Sequence, residues 1–182
     1  EKPMNDPFAV MLSKKSYKNG VEVTNNAPSL EGAIFEVDYY QNTDGKASGT
    51  PDKKWYFKTD KDGYFRASTE KYYQPTVTLD DGTVVTSDSL YRSESGNPTY
   101  PLGTYTLREV KAPTYYEIKG SATIKGTGTT VDDPGKPLIL VIKINPDTGK
   151  PGIYDGDKLT SGQVSVSNEV GITYKEEVFE GS

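Results

Sequence analysis

The chain has 182 residues with a net charge of -5 at pH 7, no His and no Cys. That inventory excludes Cys/His zinc sites, thiol nucleophiles and His-based triads, and an acidic domain has no electrostatic footprint for nucleic acid. Only 33% of residues are hydrophobic and mean hydropathy is -0.68, so the expected core is thin, and no run nears the roughly 18 apolar residues of a membrane span.

In chain order, residues 1–7 read as a leader, followed by an alternating strand from Phe8 to Ser16 with Val10, Leu12 and Lys14 in one row. Residues 17–30 read as a turn-rich connection. Gly32 to Tyr40 is a second strand, with Ala33, Phe35, Val37 and Tyr39 on one face. A polar loop leads to a strand over Lys54 to Thr59, closed by the Asp60–Gly63 turn. Short strand-like pieces occupy residues 64–100, and Asp81-Gly82 between two of them signals a hairpin. Thr104 to Val110 alternates through Tyr105, Leu107 and Glu109, and Ala112-Pro113 ends it. Tyr115 to Lys125 reads as a further strand, with a flexible run after it. Leu138 to Ile144 is the most apolar segment, which suits a strand buried on both faces. Gln163 to Val170 closes the set, with Val164, Val166 and Asn168 in one row.

Many short strands with turns between them and no convincing helix predict an all-β fold, a β-sandwich with long insertions. Residues 1–170 are expected to form a single domain and 171–182 a C-terminal tail or linker. The abrupt ends at Glu1 and Ser182 read as those of a piece of a longer chain.

Three rows of apolar side chains each run into a polar one: an amine at Lys14, a carboxyl at Glu109 and a carboxamide at Asn168. Pattern alone favours strand ends emerging into water, with at most a weak surface ion pair. Buried together, the same groups have a different chemistry. Burial drives a Lys neutral and nucleophilic and keeps a Glu protonated, so that the amine can attack the carboxamide carbon while the acid moves protons to departing ammonia.

The segments VMLSKKS, LEGAIFEV, YTLREVKAP and VSVSN, in that order, resemble the Cna protein B-type domains of Gram-positive adhesins and pilins. The turn at 59–63 also resembles that family's hairpin. The resemblance implies an Ig-like, prealbumin-like sandwich. It also implies an autocatalytic, single-turnover isopeptide bond between Lys14 and Asn168, with Glu109 catalytic and no cofactor or metal. By the same resemblance the protein is extracellular and cell-wall-anchored, with neighbouring domains of the same surface protein as partners. A host glycan or matrix protein is an alternative ligand, held by the insertion loops. The chain departs from the pattern at Ser16, where the family often has Asp, and at APTYY, where Gly-Tyr often follows AP. Lys15, beside Lys14, is the register alternative.

Other candidates are weaker. Asp60–Gly63 begins like a calcium loop but lacks the distal Glu, since Thr69 stands there, so a hairpin turn is the expectation. Asp132-Asp133-Pro134 reads as a solvated loop. Tyrosines 39, 40, 72, 73, 115 and 116 suit half-buried packing better than glycan stacking. Carboxylates are plentiful enough for a glycosidase, but no spacing selects a pair.

Overall fold

The computed structural model describes residues 9–12, 16–18, 21–23 and 27–171. Among them the chain is nearly all-β, and its only helical element is a 3-10 turn over Glu70–Tyr72. The early strands are β1 (Ala9–Leu12), β2 (Ser16–Lys18), β3 (Val21–Val23), β4 (Ile34–Tyr40), β5 (Lys53–Lys58) and β6 (Tyr64–Arg66). The middle of the chain forms β7 (Thr76–Thr78), β8 (Val84–Thr86), β9 (Tyr91–Arg92), β10 (Pro98–Thr99) and β11 (Gly103–Lys111). Then come β12 (Tyr116–Ile124), β13 (Thr130–Val131), β14 (Leu138–Asn145), β15 (Lys150–Asp155), β16 (Lys158–Thr160) and β17 (Gln163–Val170).

Two larger sheets organise these strands. One runs β13-β12-β17-β1-β6, with β2 also on β17 and β3 on β2. The other runs β16-β15-β14-β11-β4-β5. The first and last strands are neighbours: β1 pairs with β17 in parallel, Val10 opposite Val164 and Leu12 opposite Val166.

The alternation read from the sequence explains the core. Ala33, Phe35, Val37 and Tyr39 are all buried, as are Tyr105 and Leu107 of β11 and Val164 and Val166 of β17. Side chains of both larger sheets meet in one cluster, where Phe57 of β5 and Phe65 of β6 stack with ring centroids 5.2 Å apart. The outer face of β4 and β5 carries a smaller cluster, Ile34, Tyr56 and Val77, beneath the β7–β8 hairpin.

Several expectations need correction. The 17–30 connection contributes strand structure: β2 and β3 pair antiparallel, with Tyr17 opposite Glu22 and Lys18 opposite Val21. The Asp60–Gly63 turn forms as expected, with the Gly63 amide donating to the Asp60 carbonyl at 2.9 Å. It joins strands of different sheets, however, and is not a hairpin, since β6 pairs with β1. The Leu138–Ile144 segment is buried on both faces only at its middle, where Val141 on the outer face is 4% exposed. Leu138, Leu140 and Ile142 fill the core, but Ile139 and Ile144 are each 41% exposed. The run after β12 supplies a strand, β13, and residues 150–160 supply β15 and β16, none of which the sequence reading assigned. The tyrosines divide by environment: Tyr39, Tyr72 and Tyr116 are buried, Tyr40 and Tyr73 half-buried, and Tyr115 exposed.

Candidate functional site

Glu109 and Asn168 come from different sheets and meet between them. Glu109 continues the inward row of Tyr105 and Leu107 on β11, and Asn168 lies between Val166 and Val170 on β17. Glu109 is 1% exposed and Asn168 3%. The Asn168 Nδ2 donates a hydrogen bond to Glu109 Oε1 at 2.6 Å. The remaining atoms of both groups, Glu109 Oε2 and Asn168 Oδ1, are buried and find no partner among the described residues. An unpartnered buried polar atom costs about 1–3 kcal/mol, so two in one pair single this pair out within the core.

The surroundings of the pair are apolar. Val166 and Leu107 belong to the main core. Val170, Ala112 and Tyr116 form a second cluster on the other side of Asn168. Burial pushes the Glu109 carboxyl up from 4.5 to about 8, with Asp133 adding to the rise and the Asn168 hydrogen bond opposing it. At neutral pH Glu109 is therefore chiefly a neutral acid with a proton to give.

Backbone irregularities converge here. The β11–β4 register slips between Glu109 and Lys111. The β12–β17 register slips between Glu117, opposite Glu169, and Gly120, opposite Asn168. On the far side of β17, Leu12 stands opposite Val166 and Tyr17 opposite Glu169. Bulges re-aim side chains and cluster next to reactive sites. Gly120 makes its bulge possible. Its φ is +136°, and a Cβ there would lie 2.1 Å from the Ser167 carbonyl oxygen, a distance no side chain tolerates.

No protein-family model and no curated protein matches the chain.

The structure thus brings two of the three predicted residues into contact. Lys14 lies outside the described residues, as does Lys15. An acid that polarises the carboxamide would face its carbonyl oxygen. Here the nitrogen faces the acid. That orientation suits proton delivery to a departing nitrogen, and a half-turn of the carboxamide presents the oxygen instead.

Sequence reasoning missed Asp133. The solvated-loop reading fits Asp132, which is exposed and paired with Lys136 at 2.9 Å. It does not fit Asp133, which is half-buried and acts on Glu109. The one available signal was the Asp-Pro-Gly turn sequence, which brings an acid close to whatever strand the turn covers. Among the described residues no group of His, Cys, Asp or Glu side chains is arranged to hold a metal ion.

Proposed function

We propose that this chain is a structural stalk, pilin or adhesin domain of a Gram-positive surface protein, a sandwich of the Ig-like, prealbumin-like type, locked by a self-formed amide between Lys14 and Asn168. The observation that carries the reading is the sealed Glu109–Asn168 pair, with a carboxyl kept protonated and two oxygens left unpartnered by the described residues. Support for Lys14 as the third member comes from the register of its flanking strands. Leu12 and Tyr17 straddle Asn168 along one edge of β17, and the 13–15 segment joins them.

In the reaction, the neutral Lys14 amine attacks Asn168 Cγ. The Nζ–Cγ bond forms, the Cγ–Nδ2 bond breaks, and Glu109 passes the proton lost by the amine to the departing nitrogen, which leaves as ammonia. Glu109 ends as it began. Folding alone supplies the alignment, so no cofactor enters and each domain reacts once.

The consequence is mechanical. The bond closes a loop of about 150 residues, and by analogy with disulfides that constraint is worth roughly 5 kcal/mol. Tension applied at both ends then passes directly from the first strands to the last, through parallel neighbours, without unzipping the sheets between. An amide resists reducing agents, which suits a chain that carries no Cys to form disulfides. Intact-mass spectrometry tests the reading: the purified chain should be lighter than its sequence by one ammonia, about 17 Da, and Glu109→Ala should restore the full mass. A wild-type chain at full sequence mass would refute it.

A further inference from the structure

The outer face of β4, β11 and β14, turned away from the Glu109 side chain, holds a cavity of about 350 Å³. Register sets its floor. Asp38, Thr106 and Ile139 stand in one row across the three strands, and Arg108 is the next outward residue of β11. Tyr40 and Ala47 form one wall, Gly135 and Pro137 the other. Both walls are pinned. Asn42 Oδ1 accepts the Asp44 and Lys46 amides at 3.0 and 3.3 Å, and the Thr104 hydroxyl donates to the Asn42 carbonyl at 2.8 Å. On the other side the Glu109 amide donates to the Pro134 carbonyl and the Gly135 amide to Asp133 Oδ1, each at 2.8 Å. The floor has polar capacity to spare. Thr106 is only 8% exposed and lines the cavity, and its hydroxyl makes no hydrogen bond to a described residue. Asp38 hydrogen-bonds to Glu36, yet its Oδ1 is buried without a partner among the described residues. The cations beside it are drawn to Glu36: Arg108 Nη2 donates to Glu36 Oε1 at 3.0 Å, and Lys54 Nζ lies 3.9 Å from Oε2. Arg108 keeps further donors for the cavity it lines.

We propose that this cavity is a binding site for a neutral sugar ring, a hexose or N-acetylhexosamine unit of a glycan, with Thr106 and Asp38 as its hydrogen-bonding floor. The inference goes beyond the stalk reading and does not rest on it. Charge selects the ligand class. On neighbouring strands Glu36 stands opposite Arg108, and Asp38 opposite Lys54, so a cation meets two bases here and an anion two acids. A neutral polyol avoids both penalties. Its hydroxyls donate to the Asp38 carboxyl and accept from Arg108, and the Thr106 hydroxyl does either. Its C–H face meets the apolar surfaces of Tyr40, Pro137 and Ile139. A peptide strand is a poorer occupant, because β4, β11 and β14 are all interior to their sheet and offer no edge for main-chain pairing. The volume lies at the lower end of small-ligand sites, roughly 300–1,000 Å³, which suits a terminal sugar better than a long chain.

The test is an NMR titration of the full, isotope-labelled chain, followed by its backbone amide resonances. The probes are the methyl glycosides of glucose, galactose, mannose, fucose, N-acetylglucosamine and N-acetylgalactosamine. A methyl sialoside serves as the anionic control and butylammonium as the cationic one. At least one neutral glycoside should give saturable shifts at Thr106, Arg108 and Ile139, with a Kd of about a few millimolar or tighter. The two charged probes should leave those resonances in place. Thr106→Val, which keeps the shape and loses the hydroxyl, should weaken the binding about tenfold. If Thr106→Val does not fold, Asp38→Asn takes its place with the same expected loss. The proposal is overturned if no neutral glycoside saturates, if the shifts map away from the cavity, or if only a charged probe binds there. Unchanged affinity in the folded variant overturns it as well.

Discussion

A buried acid that stays protonated makes folding stability fall as pH rises. In the folded chain the Glu109 carboxyl sits at about 8, against 4.5 for an unperturbed one. Between those values the folded state holds a proton that the unfolded state has released, so unfolding free energy declines with increasing pH. The contribution is fully present below pH 4.5 and is lost by the time pH passes 8. Each pH unit in the window costs about 1.4 kcal/mol, and the whole window a few kcal/mol. The clean perturbation is Glu109→Gln, which keeps the shape and the contact with Asn168 but cannot ionise. Both proteins should carry Lys14→Ala, so that no cross-link forms and unfolding stays reversible. Urea unfolding monitored by tryptophan fluorescence, using the buried Trp55, gives stability at each pH. Other groups titrate in the same range, Asp38 among them, so the quantity that matters is the difference between the two proteins. That difference should change steadily by a few kcal/mol from pH 4.5 to 8. Parallel curves across the window would show that Glu109 ionises normally, and the proton-transfer role would fall with it.

Three further outcomes follow from local geometry. Tyr115 is the one non-glycine residue among those described with a positive φ, +74°, and its side chain is 44% exposed. Tyr115→Gly and Tyr115→Ala lose the same side chain, but only Gly relieves that φ, so Tyr115→Gly should be the more stable of the two by roughly 1 kcal/mol in thermal unfolding. Gly120→Ala forces a methyl into the Ser167 carbonyl and should cost about 2 kcal/mol or more, and the bonded fraction seen by mass should fall as the bulge beside Asn168 shifts. Asp38 on the outer face of β4 is pushed up to about 7 by burial and by its hydrogen bond to Glu36, so its stabilising protonated form is lost as pH rises from 3.8 through 7. Asp38→Asn should flatten that part of the stability curve. An unchanged curve would show that Asp38 is solvated.

What the sequence made legible was periodicity. The rows Ala33–Phe35–Val37–Tyr39, Tyr105–Leu107–Glu109 and Val164–Val166–Asn168 are inward-facing rows in the structure, because side chains two apart on a strand share a face. That rule alone put Glu109 and Asn168 on inner faces. Periodicity is silent on which strands pair. The β5–turn–β6 segment reads as a hairpin in one dimension, yet Phe57 and Phe65 are brought together across two sheets by core packing. Nor does it report which rows lie at a sheet margin, and so Ile139 and Ile144 emerge into solvent from an apolar run. The register slips at Glu109 and at Gly120 depend on long-range pairing, and the approach of the Asp133–Gly135 turn to the Glu109 backbone depends on where that turn is pinned.

The central claim is a covalent link between two named residues, and peptide mapping reads it directly. Intact mass alone has a competitor, since succinimide formation at Asn19-Gly20 also releases one ammonia. Tandem mass spectrometry of a protease digest separates the two. The account predicts a branched species in which the peptide holding Lys14 is joined to the peptide holding Asn168, lighter than their sum by about 17 Da, and absent from Glu109→Ala. Recovery of both peptides unlinked and at full mass from the folded wild type would contradict it.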